Sequence, residues 1–134
     1  MIHAYVIMTN HVHMIISRNG NDLLEEIMRD IKKFTSFKLI GAIMDNQQES
    51  RKEWMLELFE RKGKSNSNNS KYQFWQQDNH PIELSNNFMM DQKLRYVHEN
   101  PVESGFVGEA SEWIYSSASD YEGRKGLLEV KLIE

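Results

Sequence analysis

Apolar residues fill the stretch from Ile2 to Met8 almost without a break. The run is too short for a typical helix and rich in aromatic and β-branched types, which predicts a buried strand. Thr9 and Asn10 interrupt it, and a second β-rich segment follows at once from His11 to Ser17. A two-residue connection between such runs implies an antiparallel hairpin, although this turn lacks the favoured glycine. Asn19-Gly20 then marks a loop, and Asp22 with Glu25 three residues later has the form of a capping box. Leu24, Ile27, Met28, Ile31, Phe34 and Phe37 or Lys38 recur at spacings of three and four, predicting an amphipathic helix with Arg29, Lys32 and Lys33 largely off its apolar stripe. A second helical pattern, with Trp54, Leu56, Leu58 and Phe59 among charges, runs from about Gln48 to Arg61.

Gly63 to Ser70, dominated by Ser and Asn, reads as a flexible loop and not as a domain boundary, because neither flank would bury a core alone. Tyr72 to Gln76 reads as a strand, Asp78-Asn79-His80-Pro81 as a turn, and Ile82 to Leu84 as a short strand. Asn86 to Glu99 contains no Gly or Pro and predicts a third helix through Phe88, Met89, Met90, Leu94 and Val97, while Pro101 disfavours helical geometry at Asn100. Trp113, Tyr115 and Tyr121 follow among serines, and Leu127 to Ile133 is β-prone. No internal repeat is present.

A length of 134 residues with 40% hydrophobic content fits one domain with one core, residues 1–134. The absence of cysteine removes disulfides, thiolate metal sites and cysteine nucleophiles, and fits a reducing cytoplasm. Any covalent nucleophile must then be oxygen or nitrogen. No leader-like segment opens the sequence and no apolar run approaches the roughly 20 residues of a membrane span, so a soluble, intracellular protein is expected. The formal net charge of -4 argues against nucleic-acid binding, because phosphate recognition usually draws on a basic surface. Basic residues nevertheless cluster at Lys32, Lys33 and Lys38 and again at Arg51, Lys52, Arg61, Lys62 and Lys64. These read equally well as a local basic face or as solvated helix surfaces.

Two groups of residues carry candidate chemistry. On a strand, His11 and His13 project to one face while Val12 enters the other layer, which suits a shared metal ion, although such a pair alone is more often simply exposed or hydrogen-bonded. On the third helix, Tyr96 and Asn100 lie four apart on one face, with Lys93 one turn before Tyr96. A phenol is a poor nucleophile until its proton is removed or its anion stabilised, and Lys93 would help with the latter. The plainer reading packs Tyr96 at the end of an amphipathic helix. Trp75 and Trp113 fit either base stacking or a core, and His3 and His98 read as structural.

Together the segments are more specific than either alone. Ala4-Tyr5-Val6-Ile7-Met8-Thr9-Asn10-His11-Val12-His13-Met14-Ile15 resembles the hairpin of the single-tyrosine HUH transposases, specifically the REP-associated branch of the insertion sequence 200-like group. Tyr96-Val97-His98-Glu99-Asn100-Pro101-Val102 with Gly105-Phe106-Val107 resembles that branch's tyrosine motif, and Trp75-Gln76-Gln77 and Trp113 with Tyr115-Ser116-Ser117 fall where it has similar words. Thr9 stands where the family usually has proline.

The resemblance implies an α+β, ferredoxin-like antiparallel sheet with helices packed on it. It also implies a strand and a helix ahead of the hairpin, which this sequence lacks, so that a sheet edge beside the site would be exposed or filled by a partner chain. It implies a divalent ion, Mg²⁺ or Mn²⁺, on His11, His13 and Asn100, and Tyr96 as the nucleophile that cuts single-stranded or hairpin DNA through a 5′-phosphotyrosine link. His80 falls where the family often has a histidine, and with Lys32, Lys33 and Lys93 it is a candidate DNA contact; a surface turn histidine is the alternative. Family members act as monomers or homodimers. Two other functions compete with this one: a hairpin-DNA-binding module that no longer cleaves, and an unrelated small metal-binding α+β protein.

Overall fold

Val6 lies opposite His13 and Tyr5 opposite Met14 where β1 (Ile2–Ile7) pairs antiparallel with β2 (Val12–Ile16), in a computed structural model that describes residues 1–66 and 71–134. The fold is α+β. Its helices are α1 (Leu24–Asp45), α2 (Lys52–Lys64), α3 (Asn87–Glu103) and the single turn α4 (Ala118–Tyr121), with a 3-10 turn at Ala110–Glu112. By internal contacts the chain divides into two units, Met1–Asn21 with Ile82–Glu134, and Asp22–Pro81.

In the first unit the hairpin closes through Met8 N donating to His11 O at 2.9 Å. Neither Thr9 nor Asn10 adopts a positive φ, so the turn works without glycine, and the connection spans Met8 to His11. His11 therefore sits at the end of the connection, one residue before the strand predicted to begin on it. Ala4, Val6 and Met8 point to one face and form the core with Val97 of α3, against which Ile15, Leu94, Trp113 and Tyr121 pack.

The far edge of β1 is not bare. Ile7 N donates to Tyr115 O at 2.8 Å, Ser117 N to Tyr5 O at 3.0 Å, and Lys131 N to Ile2 O at 2.9 Å. Val6 and Ser116 make an antiparallel bridge. β1 is thus flanked on both sides by its own chain, and the edge along which no strand pairs, among the described residues, belongs to β2. The β-prone tail forms no strand; within 127–133 only Lys131 bonds to the β1 backbone, through one amide.

α3 begins where Asn86 Oδ1 accepts from Met89 N at 2.9 Å, an N-cap that satisfies a donor the helix itself cannot. It continues past the predicted stop at Glu99, through Pro101. Proline removes one donor from the helical ladder, but here it lies in the last turns and its ring is fully buried. Gly105, at φ 80, follows the end of the helix. Asn100 is consequently helical.

The second unit departs further from the expected elements. Glu26, not Glu25, closes the start of α1 by accepting from Leu23 N at 3.1 Å, and the helix runs to Asp45. Ile40 is its one buried residue, whereas Phe34 and Phe37 of the predicted stripe are 64% and 77% exposed. α2 starts and ends later than its pattern indicated and takes in Gly63 and Lys64; the predicted loop from Gly63 to Ser70 lies in part outside the described residues. Tyr72 to Gln76 forms no strand. Its polar groups go to helices instead: Gln73 N to Phe59 O at 2.9 Å, Trp75 Nε1 to Thr35 Oγ1 at 2.8 Å, and Lys32 Nζ to Gln76 O at 3.0 Å. Asp78 and His80 take left-handed φ values of 66° and 49° in the turn predicted there, and residues 82–84 form no strand. No helix among the described residues is long and apolar enough to cross a membrane.

Candidate functional site

The core that fixes α3 on the hairpin also sets the site. Val97 enters the core beside Val6, and Val6 is the cross-strand partner of His13, so His13 shares the sheet face that α3 covers. The residue before Val97 on α3 is Tyr96, and its ring meets the His13 imidazole edge-on with centroids 5.2 Å apart. His11 meets His13 the same way at 5.0 Å. Two imidazoles from the hairpin and one phenol from the helix thus form a continuous row. Lys93, one turn earlier on α3, holds its Nζ 5.6 Å from the centre of the Tyr96 ring. Tyr96 is 48% exposed. Asn100 lies four residues on, on the same helical face and half-buried.

Asn10 adds a feature that the sequence reading missed. Its Oδ1 lies 2.6 Å from His11 Nδ1, an arrangement that places the proton on Nδ1 and leaves the lone pair of the neutral ring on Nε2. Only its identity as an amide-bearing residue next to His11 signalled this, and a turn asparagine has an ordinary structural explanation. Burial first, and then the neighbouring His11 and Lys93 charges, push the His13 pKa below its usual value. The shift favours the neutral imidazole, the form that ligates metals.

Among the described residues no group of three or more His, Cys, Asp or Glu side chains is placed to hold a metal ion. His11 and His13 supply two nitrogen donors; the resemblance implies the Asn100 amide oxygen as a third. Paired imidazoles, one with an oriented tautomer, are the kind of donor that divalent ions accept.

His98 and His3 have structural partners. His98 Nε2 lies 2.9 Å from Ser117 Oγ, and its ring is edge-on to Tyr121 at 5.0 Å. Burial lowers its pKa, partly opposed by Asp120. His3 bonds Lys131 O at 2.8 Å and Ser17 Oγ at 2.7 Å. Lys32, Lys33 and His80 belong to the other unit: Lys32 donates to Gln76 O, while Lys33 and His80 are exposed. Trp113 packs against the core of the first unit and donates from Nε1 to Ile7 O at 3.0 Å.

No protein-family model, no curated protein and no solved structure matches this chain.

Proposed function

We propose that this chain is a metal-dependent single-tyrosine transposase that nicks and rejoins single-stranded DNA at hairpin-bearing ends. The observation that carries the reading is the row of His11, His13 and Tyr96, with ring centroids 5.0 and 5.2 Å apart, built from the two segments that resemble the HUH hairpin and tyrosine motifs. The Tyr96 oxygen attacks the scissile phosphorus and its proton leaves to water on the exposed side of the ring. The bond from phosphorus to the 3′ oxygen breaks, that oxygen takes a proton, and the 5′ phosphate stays on tyrosine. Attack by a free 3′-hydroxyl reverses the step, so the phosphodiester energy is conserved and no nucleotide cofactor is consumed. Lys93 favours negative charge at the phenol and the phosphate. Asn10 orients the His11 ring, and burial favours the neutral form of His13. Mg²⁺ or Mn²⁺ held by His11, His13 and Asn100 would supply the positive charge that polarises the phosphate. The absence of cysteine agrees with action in the cytoplasm.

Incubation with hairpin-bearing single-stranded DNA and Mn²⁺ is expected to give a covalent adduct on a denaturing gel that disappears in Tyr96→Phe. No adduct across a broad panel of DNA ends would remove the catalytic reading. A second reading, a hairpin-DNA-binding module without cleavage, is favoured by the limited donor set around His11 and His13. It predicts salt-dependent binding and no adduct.

A further inference from the structure

A cavity of about 360 Å³ opens between α2 and residues 73–77 in the second unit, walled by Phe59, Phe74 and Trp75 with Lys62, Gln76 and Gln77 at its polar side. Its aromatic wall is braced. Phe74 sits between Phe59 and Trp75, with centroids at 5.2 and 5.1 Å and rings tilted or edge-on. Trp75 is anchored through Nε1 to Thr35 Oγ1, and the Gln76 carbonyl is held by Lys32. The side chains of Gln76 and Gln77 are exposed, and each amide carries the paired donor and acceptor that match the edge of a base.

Charge narrows the occupant. The excess of acids over bases lies in residues 1–21 and 82–134, whereas residues 22–81 are balanced. From Arg61 to Gln77 the sequence carries Arg61, Lys62, Lys64 and Lys71 and no Asp or Glu. Lys64 is paired with Glu60 at 3.3 Å, and Lys71 lies over the Tyr72 ring at 5.1 Å. Lys62 lines the cavity and enters none of the ion pairs among the described residues. A purely apolar partner would leave the glutamine amides and this ammonium without partners, at a desolvation cost. A base against an aromatic wall, with its phosphate on the lysine, satisfies all three kinds of group.

We infer that the cavity between α2 and residues 73–77 is a single-strand nucleotide site that takes one unpaired base, with Lys62 on its phosphate. The inference deepens the proposed function and rests on its assignment of single-stranded DNA as substrate. It adds a contact distant in sequence from the histidines and the tyrosine.

The test uses full-length Tyr96→Phe protein in EDTA, so that neither metal nor covalent chemistry contributes, with an unstructured oligonucleotide carrying 5-bromodeoxyuridine as probe. Ultraviolet cross-linking is expected to attach the probe to the peptide containing Phe74 and Trp75. In anisotropy titrations, Lys62→Ser is expected to weaken binding and to flatten its log-log salt dependence by about 0.7, the value of one phosphate contact on a single strand. Phe74→Leu is expected to weaken binding roughly fivefold or more with the salt dependence unchanged. Cross-links confined to other peptides, or Lys62→Ser and Phe74→Leu binding like the parent, would overturn the inference. If native protein with Mn²⁺ forms no adduct while the cross-link and both losses persist, the cleavage reading fails and the cavity assignment stands. If the adduct forms while both variants bind as the parent does, the cavity assignment fails alone.

Discussion

The Tyr96 ring reaches His13 because Val97, its neighbour on α3, packs beside Val6, the residue paired with His13 across the hairpin. Core packing and site geometry are therefore one constraint. Val97→Ala should cost about 1–3 kcal/mol of stability, from lost transfer energy plus a cavity, and should lower the yield of the tyrosine adduct at temperatures where the variant stays folded. Arg95→Ala, on an exposed part of the same helix, should leave stability within about 0.5 kcal/mol. Urea denaturation beside gel quantification of the adduct checks both; a Val97→Ala protein with full adduct yield would separate the two roles.

Asn10 holds the His11 ring through Nδ1 at 2.6 Å. Removing a group that orients a metal ligand typically weakens binding about 10- to 100-fold. Asn10→Ala should therefore reduce Mn²⁺ affinity by about tenfold in calorimetric titration, with the far-ultraviolet spectrum unchanged, whereas His11→Ala should abolish measurable uptake. Equal affinity for Asn10→Ala and the parent would show that the amide does not orient the ligand.

Much of the first unit is legible in the sequence because its signals are local and periodic. The period of two brings His13 onto the face of Val6, and four-residue spacing sets Asn100 after Tyr96. The close approach of the hairpin and α3 follows from Val6 and Val97, apolar residues at the positions those two periods dictate. What escapes is long-range partnership. Nothing in Tyr115-Ser116-Ser117 announces that it will cover the far edge of β1. The aromatic residues of 72–76 suit a strand, yet β propensity does not specify a neighbour to pair with, and helix groups take their hydrogen bonds instead. Phe34 and Phe37 continue the α1 stripe in spacing while remaining exposed, so periodicity identified the helix without identifying which of its turns would be covered.

Two glycines in the second unit should respond in opposite directions. A methyl group at Gly63 would run into the backbone carbonyl of Lys71, which cannot swing away as a side-chain end could. At Gly41, in the interior of α1, an added Cβ meets nothing within 4 Å. Gly63→Ala should destabilise by roughly 1–3 kcal/mol through overpacking, and Gly41→Ala should stabilise by about 0.5–1 kcal/mol through backbone entropy. Thermal melts of the two variants against the parent test the pair. A gain in melting temperature for Gly63→Ala would show that α2 and residue 71 are not in close contact.

Tyr121 links stability to alkaline pH. Its hydroxyl donates to His3 O at 2.9 Å and accepts from Ile133 N at 3.1 Å, so the bond to His3 O, one of several ties to β1, lasts only while the phenol keeps its proton. Burial, assisted by Asp120 and partly opposed by the Ile133 amide, raises its pKa above the ordinary value. With the folded pKa above that of the unfolded chain, near ~10, the contribution is fully present below about pH 10 and is lost as pH rises through the folded value. Tyr121→Phe removes the hydrogen bonds at every pH, leaving the His3 carbonyl and the Ile133 amide without this partner. The parent should therefore be more stable than Tyr121→Phe near neutrality, by about 1 kcal/mol for one such hydroxyl, and the gap should narrow above about pH 10. Urea midpoints measured for both proteins at about pH 8 and about pH 11 read this directly, and a gap that stays constant across the range would mean that the phenol ionises alike in the folded and unfolded chains.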